Sequence, residues 1–212
     1  ETAKLANHLG ARVFASDSGS SKRVSAHAMD LMHFHHIASE TGLHSEKIYD
    51  ADLWVLSPGV PKNADIVIKA QEKNIPIVGE IEFASWFTES PIVAVTGSNG
   101  KTTTAYILAE MCQSKSNHAV MAGNMGIPFS ERVLDEIKTL DKTRTYILEV
   151  SSFQMEFVNH FSPTIAVYTN LSTDHLDRHG SMEEYLKMKL RMIQNMDQED
   201  CVVYNGDDPV LV

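Results

Sequence analysis

Along the 212-residue chain, short and nearly uninterrupted apolar runs alternate with stretches in which apolar residues recur every three or four positions. The first pattern fits strands of a parallel sheet covered on both faces, and the second fits amphipathic helices. In the first part, residues 12–16, 53–57 and 75–78 read as strands, and 64–73 is the clearest helix between them. A second part begins near Glu89-Ser90-Pro91, with a strand at 92–96 and a helix at 102–113. Strands follow at 119–122, 145–150, 165–169 and 201–204, with helices at 129–138 and 182–196. Leu5, Ala6 and Leu9 already show helical spacing at a start that lacks Met, and an apolar segment begins where the chain stops, after the turn Asn205-Gly206-Asp207-Asp208-Pro209. The expectation is a fragment. Residues 20–46 show no readable period.

Composition narrows the partners. With 28 acidic against 18 basic residues the formal charge is -10, and 43% hydrophobic content disfavours disorder. The acidic balance and the lack of clustered Lys and Arg argue against nucleic acid and anionic membrane surfaces. No apolar stretch approaches the roughly 20 residues needed to span a bilayer. Cys112 and Cys201 stand far apart without a CxxC or Cys/His pattern, so neither a disulfide framework nor a structural zinc site is indicated, and a reducing cytoplasm is the natural reading. His33, His35 and His36 lack the i, i+4 spacing of helical metal ligands and a suitably placed carboxylate or Cys, so they read as surface histidines.

The strongest chemical signal is Ile92-Val93-Ala94-Val95-Thr96-Gly97-Ser98-Asn99-Gly100-Lys101-Thr102-Thr103-Thr104, a buried strand, a glycine-containing turn and Lys-Thr at a helix start. Glycines let backbone N–H groups converge on a phosphate, the helix N-terminus favours anions, Lys101 supplies a cation and Thr102 a hydroxyl for Mg2+. Val95 holds the place of the first glycine of GxxxxGK[ST], so the loop is a shorter variant; the plain alternative is a strand-turn-helix with no ligand. With it the fold class becomes α/β: a Rossmann-like N-terminal domain, residues 1–90, followed by a P-loop-type parallel-sheet ATPase domain, residues 91–212.

Glu149 ends the run Tyr146-Ile147-Leu148, and Ile165 to Thr169 runs into Asn170-Leu171-Ser172-Thr173-Asp174-His175. Both bring polar groups to the carboxyl edge of the sheet, where ligands of open α/β sheets bind. Glu149 suits Mg2+ as a hard oxygen donor, whereas His175 is less usual for that ion. In the helix at 182–196, Lys189 falls within the apolar stripe of Met182, Tyr185, Leu186, Ile193 and Met196. Either its stem snorkels, or its amine is desolvated near a metal or phosphate; periodicity does not choose.

Taken together, these motifs resemble the Mur ligase family. The carrying segments are Leu56-Ser57-Pro58-Gly59-Val60-Pro61, Val78-Gly79-Glu80-Ile81-Glu82, Thr96 to Thr104, Gly123-Asn124-Met125-Gly126, Leu148-Glu149-Val150-Ser151-Ser152-Phe153-Gln154, Asn170 to Gly180, and Lys189-Leu190-Arg191. The Ser-Ser-Phe-Gln run and the Ser-Pro-Gly turn are most similar to the branch that adds D-glutamate. The resemblance implies an ATP-dependent ligase of peptidoglycan precursor synthesis, a monomer, acting on UDP-N-acetylmuramoyl-L-alanine and D-glutamate through an acyl phosphate. It implies phosphate binding by Gly97, Ser98, Asn99, Gly100, Lys101, Thr102 and Thr103, and catalytic roles for Lys101, His175 and Lys189. Two Mg2+ ions are implied, one at Thr102 and Glu149 and one at His175 and Lys189, with Lys189 carbamylated. Asp17, Ser57, Asn124, Ser151 and Gln154 are implied to bind the precursor, and Asp174 to steady the site. The glycine-rich opening of the first domain and the third domain of the family are expected to lie outside this stretch, leaving it inactive alone. The competing readings are another branch of the family, a folylpolyglutamate synthase, a generic P-loop kinase and a non-catalytic nucleotide-binding module.

Overall fold

A computed structural model describes residues 1–172 and 180–212. The chain forms two compact units, one of Glu1–Val55 with Pro61–Ile77, the other of Leu56–Val60 with Val78–Val212. No helix among the described residues is long and apolar enough to cross a membrane.

The first unit begins with α1 (Thr2–His8), β1 (Phe14–Asp17), α2 (Lys22–His35) and β2 (Ala38–Thr41). Strands β1 and β2 pair in parallel from Phe14 opposite Ala38 to Asp17 opposite Thr41. Helix α2 fills much of the stretch without readable period. Ser21 Oγ accepts from Val24 N at its start, His36 closes it with φ 54°, and none of its residues is buried. β3 (Trp54–Leu56), α3 (Asp65–Glu72) and β4 (Ile77–Gly79) follow along the chain, β3 pairing with β4; Leu56 of β3 and Val78 and Gly79 of β4 are counted with the second unit. Leu5, Ile37, Val67 and Ala70 are buried in this unit.

In the second unit, α4 (Glu80–Ser85) precedes β5 (Ile92–Thr96), α5 (Lys101–Cys112), β6 (His118–Gly123), α6 (Phe129–Thr139), β7 (Arg144–Glu149), β8 (Ile165–Tyr168), α7 (Met182–Leu190) and β9 (Cys201–Tyr204). The strands form one parallel sheet in the order β6-β7-β5-β8-β9. Residues of β5 and β7 such as Ala94, Val95, Ile147 and Leu148 are wholly buried, which explains their unbroken apolar character. The helix expected through residue 196 is α-helical only to Leu190 and tightens into a 3-10 turn at Arg191–Ile193. There Arg191 donates to the carbonyls of Glu156 and Val158.

One buried carboxylate fixes how α4 joins this unit. Glu82 accepts from the backbone N–H of Asn159, His160 and Phe161 and from the Trp86 indole, the closest of each at 2.9 Å. Burial opposes its ionisation, but these donors outweigh it and hold the carboxyl below the usual range.

Candidate functional site

β5 is the central strand, and its carboxyl end opens into the loop 97–100, from which α5 starts at Lys101. Gly97 has φ +149°, and a Cβ there would fall 2.0 Å from Thr169 Oγ1, so no larger residue fits this turn. Gly100, at φ +80°, is the N-cap of α5, so the helix N-terminus, which favours anions, lies at the end of the loop. Lys101 Nζ donates to the carbonyls of Gly97 and Ser98 at 3.1 and 3.0 Å, which holds the ammonium over the loop. Asn99, Thr102 and Thr103 are exposed at its rim, while Ser98 is buried.

Glu149 lies at the end of β7, opposite Val95 on one side and Gly123 on the other. Only 1% exposed, it is gripped through both oxygens: Thr102 Oγ1 donates to Oε2 at 2.7 Å, and Asn124 Nδ2 donates to Oε1 at 2.9 Å. Three residues expected from the sequence are thus joined at the helix start. That Asn124 orients Glu149 was not readable, because nothing in the spacing of 124 and 149 shows that β6 and β7 are neighbours.

The segment after β8 straps the loop from the other side. Ser98 N donates to Asn170 O and Asn99 N to Asn170 Oδ1, both at 2.9 Å, while Thr169 Oγ1 donates to Asn99 O at 2.7 Å. Ser172 N donates to Ser98 Oγ at 2.9 Å. Asp174 and His175, which continue this segment, lie outside the described residues.

Lys189 is 2% exposed and faces inward, in keeping with its place in the apolar stripe. Its Nζ donates to Gly97 O at 3.0 Å and to Thr96 Oγ1 at 3.2 Å, and lies 4.7 Å from the centroid of the Tyr185 ring. Tyr185 OH in turn lies 3.2 Å from Ser98 Oγ. Spacing puts Tyr185 in the apolar stripe but does not show that Tyr185 and Thr96 meet the Lys189 amine.

Of the expected precursor-binding residues, Ser151 and Gln154 meet each other: Ser151 N and Oγ donate to Gln154 Oε1 at 2.9 and 3.1 Å. Ser57 is exposed in the Ser-Pro-Gly turn. Asp17 belongs to the first unit, where it is exposed at the end of β1 and its Oδ1 accepts from Gly19 N at 2.7 Å. Beside it, Ser16 Oγ donates to Glu40 Oε1 at 2.7 Å and meets His44 Nδ1 at the same distance.

The donor set suits Mg2+. The Thr102 hydroxyl and the Glu149 carboxylate, 2.7 Å apart, are hard oxygens beside a phosphate-type loop, and Mg2+ takes one or two protein oxygens while keeping water and phosphate ligands. Among the described residues, no group of three or more His, Cys, Asp or Glu side chains is arranged for a metal.

Residues 95–212 match the Mur ligase middle domain, and residues 2–66 match the MurD N-terminal domain. The chain is 37% identical over 214 residues to the UDP-N-acetylmuramoylalanine--D-glutamate ligase of Chloroherpeton thalassium, covering 99% of this chain and 45% of that protein. It is 43% identical over 165 residues to the enzyme of the same name from Thermoanaerobacter pseudethanolicus, covering 78% of this chain and 36% of that one. The chain therefore spans less than half the length of these relatives. Among solved structures, the MurF ligase from Thermotoga maritima in complex with ADP shares the fold, with a TM-score of 0.51 at 20% identity over 96% of this chain and 45% of that one.

Proposed function

Because the chain belongs to the Mur ligase family, we propose that the protein carrying it is an ATP-dependent ligase that joins D-glutamate to UDP-N-acetylmuramoyl-L-alanine through an acyl phosphate. The observation that carries this reading is the Thr102–Glu149–Asn124 cluster at the mouth of the loop closed by Lys101. A carboxylate is a poor acyl donor, since its leaving group would be oxide. Phosphorylation replaces that oxide with phosphate, and the amine of D-glutamate then attacks the carbonyl and expels it.

Each residue has a part in that scheme. The loop 97–103 cradles the phosphates of ATP, and Lys101 turns from the carbonyls of Gly97 and Ser98 to the outer phosphates. Bound Mg2+ would neutralise the crowded phosphate oxygens; Thr102 and Glu149 are the residues proposed to hold one ion, with Asn124 fixing the Glu149 carboxylate. His175 and Lys189 are proposed for a second ion. Carbamylation of Lys189 would turn an amine donor into an oxygen ligand; the inward, buried placement of its Nζ beside Gly97 O and Thr96 Oγ1, at the foot of the phosphate-type loop, supports this. Asn124, Ser151 and Gln154 are proposed to position the muramoyl-peptide end and Asp17 and Ser57 the UDP part, with Asp174 steadying the site.

The functional division proposed is residues 1–90 for the precursor and 91–212 for ATP. Residues 78–90 belong to the second compact unit. The protein is further proposed to be a cytoplasmic monomer. The match to the MurD N-terminal domain favours this branch over a folylpolyglutamate synthase. In the test, Mg-dependent product formation by the full-length protein is followed with ATP, the UDP precursor and D-glutamate, beside L-glutamate, a diamino acid and a folate. Product that requires both the precursor and D-glutamate supports the proposal; turnover only with another acceptor rejects it.

A further inference from the structure

The turn Asn205-Gly206-Asp207-Asp208-Pro209 has no part in the scheme above, yet it contains a buried carboxylate aimed at the loop strap. Asp208 is 8% exposed. Its Oδ2 accepts from Leu171 N at 2.8 Å and its Oδ1 from Val210 N at 2.9 Å, so both oxygens are engaged by backbone donors. The donor of Leu171 holds the carboxyl below its usual range, followed by that of Val210, so it is ionised at neutral pH. Leu171 is the middle of the strap. On one side of it Asn170 meets the backbone of Ser98 and Asn99, and on the other Ser172 exchanges hydrogen bonds with Ser98.

We propose that Asp208 is a positioning residue for the nucleotide site: from the far end of β9 it pins the strap 170–172, and the strap fixes Ser98 and Asn99 in the conformation that receives phosphate. The inference rests on the reading of the loop as an ATP site. Without the pin, Leu171 N becomes a buried donor lacking its acceptor, and the strap must shift toward water to satisfy it. That movement carries Asn170 and Ser172 with it and loosens the loop, whose value for binding lies in being preset. Asparagine at 208 retains one oxygen, which can turn to Leu171 while its amide faces Val210, so it preserves the pin in weaker form.

The test uses the full-length protein with D208A and D208N, measuring the Kd of MgADP and, separately, of UDP-N-acetylmuramoyl-L-alanine by calorimetry. D208A is expected to weaken MgADP about tenfold and D208N about threefold, with the UDP precursor within about twofold of wild type. Hydrogen exchange at the amides of Leu171, Ser98 and Ser172 should accelerate in D208A while that of β6 and β7 stays unchanged. MgADP affinity within twofold of wild type in D208A overturns the proposal, as does parallel weakening of both ligands in both variants, which would mark a general loss of fold. Wild-type protein that binds no MgADP overturns the underlying reading of the loop, and the inference with it.

Discussion

Replacing Glu149 with Gln separates the charge of the site from its shape. In the wild type both carboxylate oxygens accept, one from Thr102 Oγ1 and one from Asn124 Nδ2. The Asn124 amide nitrogen only donates, so in E149Q the remaining oxygen must face Asn124 and the new NH2 must face Thr102. The Thr102 hydroxyl can turn to accept, and both contacts survive. Folding stability should therefore change by less than about 1 kcal/mol. The metal position, however, changes from an anionic oxygen beside Thr102 to an amide N–H. Outer-sphere substitutions typically cost about 10- to 100-fold in metal affinity, and loss of a direct ligand belongs at or above the upper end. A hundredfold weakening corresponds to about 2.7 kcal/mol. The assay is Mn2+ binding by electron paramagnetic resonance in the presence of ADP, beside a thermal melt. Metal affinity within threefold of wild type in a well-folded E149Q protein would refute the assignment of Glu149 as a ligand.

Three further outcomes are expected. G97A should abolish detectable MgADP binding in calorimetry, because its Cβ would fall 2.0 Å from Thr169 Oγ1 and 3.0 Å from Asn170 O; retained binding would mean that the loop does not hold this conformation. E82Q should lower unfolding free energy by about 2–4 kcal/mol in urea titration, since an amide cannot accept from all the backbone donors that converge on Glu82. As the folded carboxyl of Glu82 lies below its usual range, the stability it contributes is present above about pH 4.3 and lost as pH falls through the folded value. A melt series in which wild type and E82Q lose stability equally on acidification would contradict this. For Lys189, a carbamate signal in 13C NMR with labelled bicarbonate should appear in wild type and vanish in K189M; its absence from wild type would remove Lys189 from the proposed second metal site.

How legible these features were follows from where their causes lie. The strands β5 and β9 match expectation residue for residue, and β7 and β8 within a residue at each end, because buried parallel strands are marked by apolar runs bounded by Gly, Pro and polar turns. Helix α2 was illegible since none of its residues is buried; Met29, Met32 and Phe34 are exposed and impose no one-sided stripe. Helix α4 lies just past the strand expected at 75–78 and has no period of its own to mark it; its place is decided by Glu82 reaching backbone donors more than seventy residues away. The inward Lys189 is legible from its own helix, whereas Met192, outside the expected stripe, is wholly buried as well. The ties of Asn124 to Glu149 and of Asp208 to Leu171 depend on strand order, which no local pattern encodes.

The central claim is that the precursor's carboxylate is activated by phosphorylation at the Lys101 loop. It is tested most directly by labelling that carboxylate with 18O and following the label during turnover with ATP and D-glutamate by the full-length protein. An acyl phosphate transfers one labelled oxygen to the inorganic phosphate for each amide bond formed, and K101A should form neither product nor labelled phosphate. Amide product accompanied by unlabelled phosphate would contradict the account.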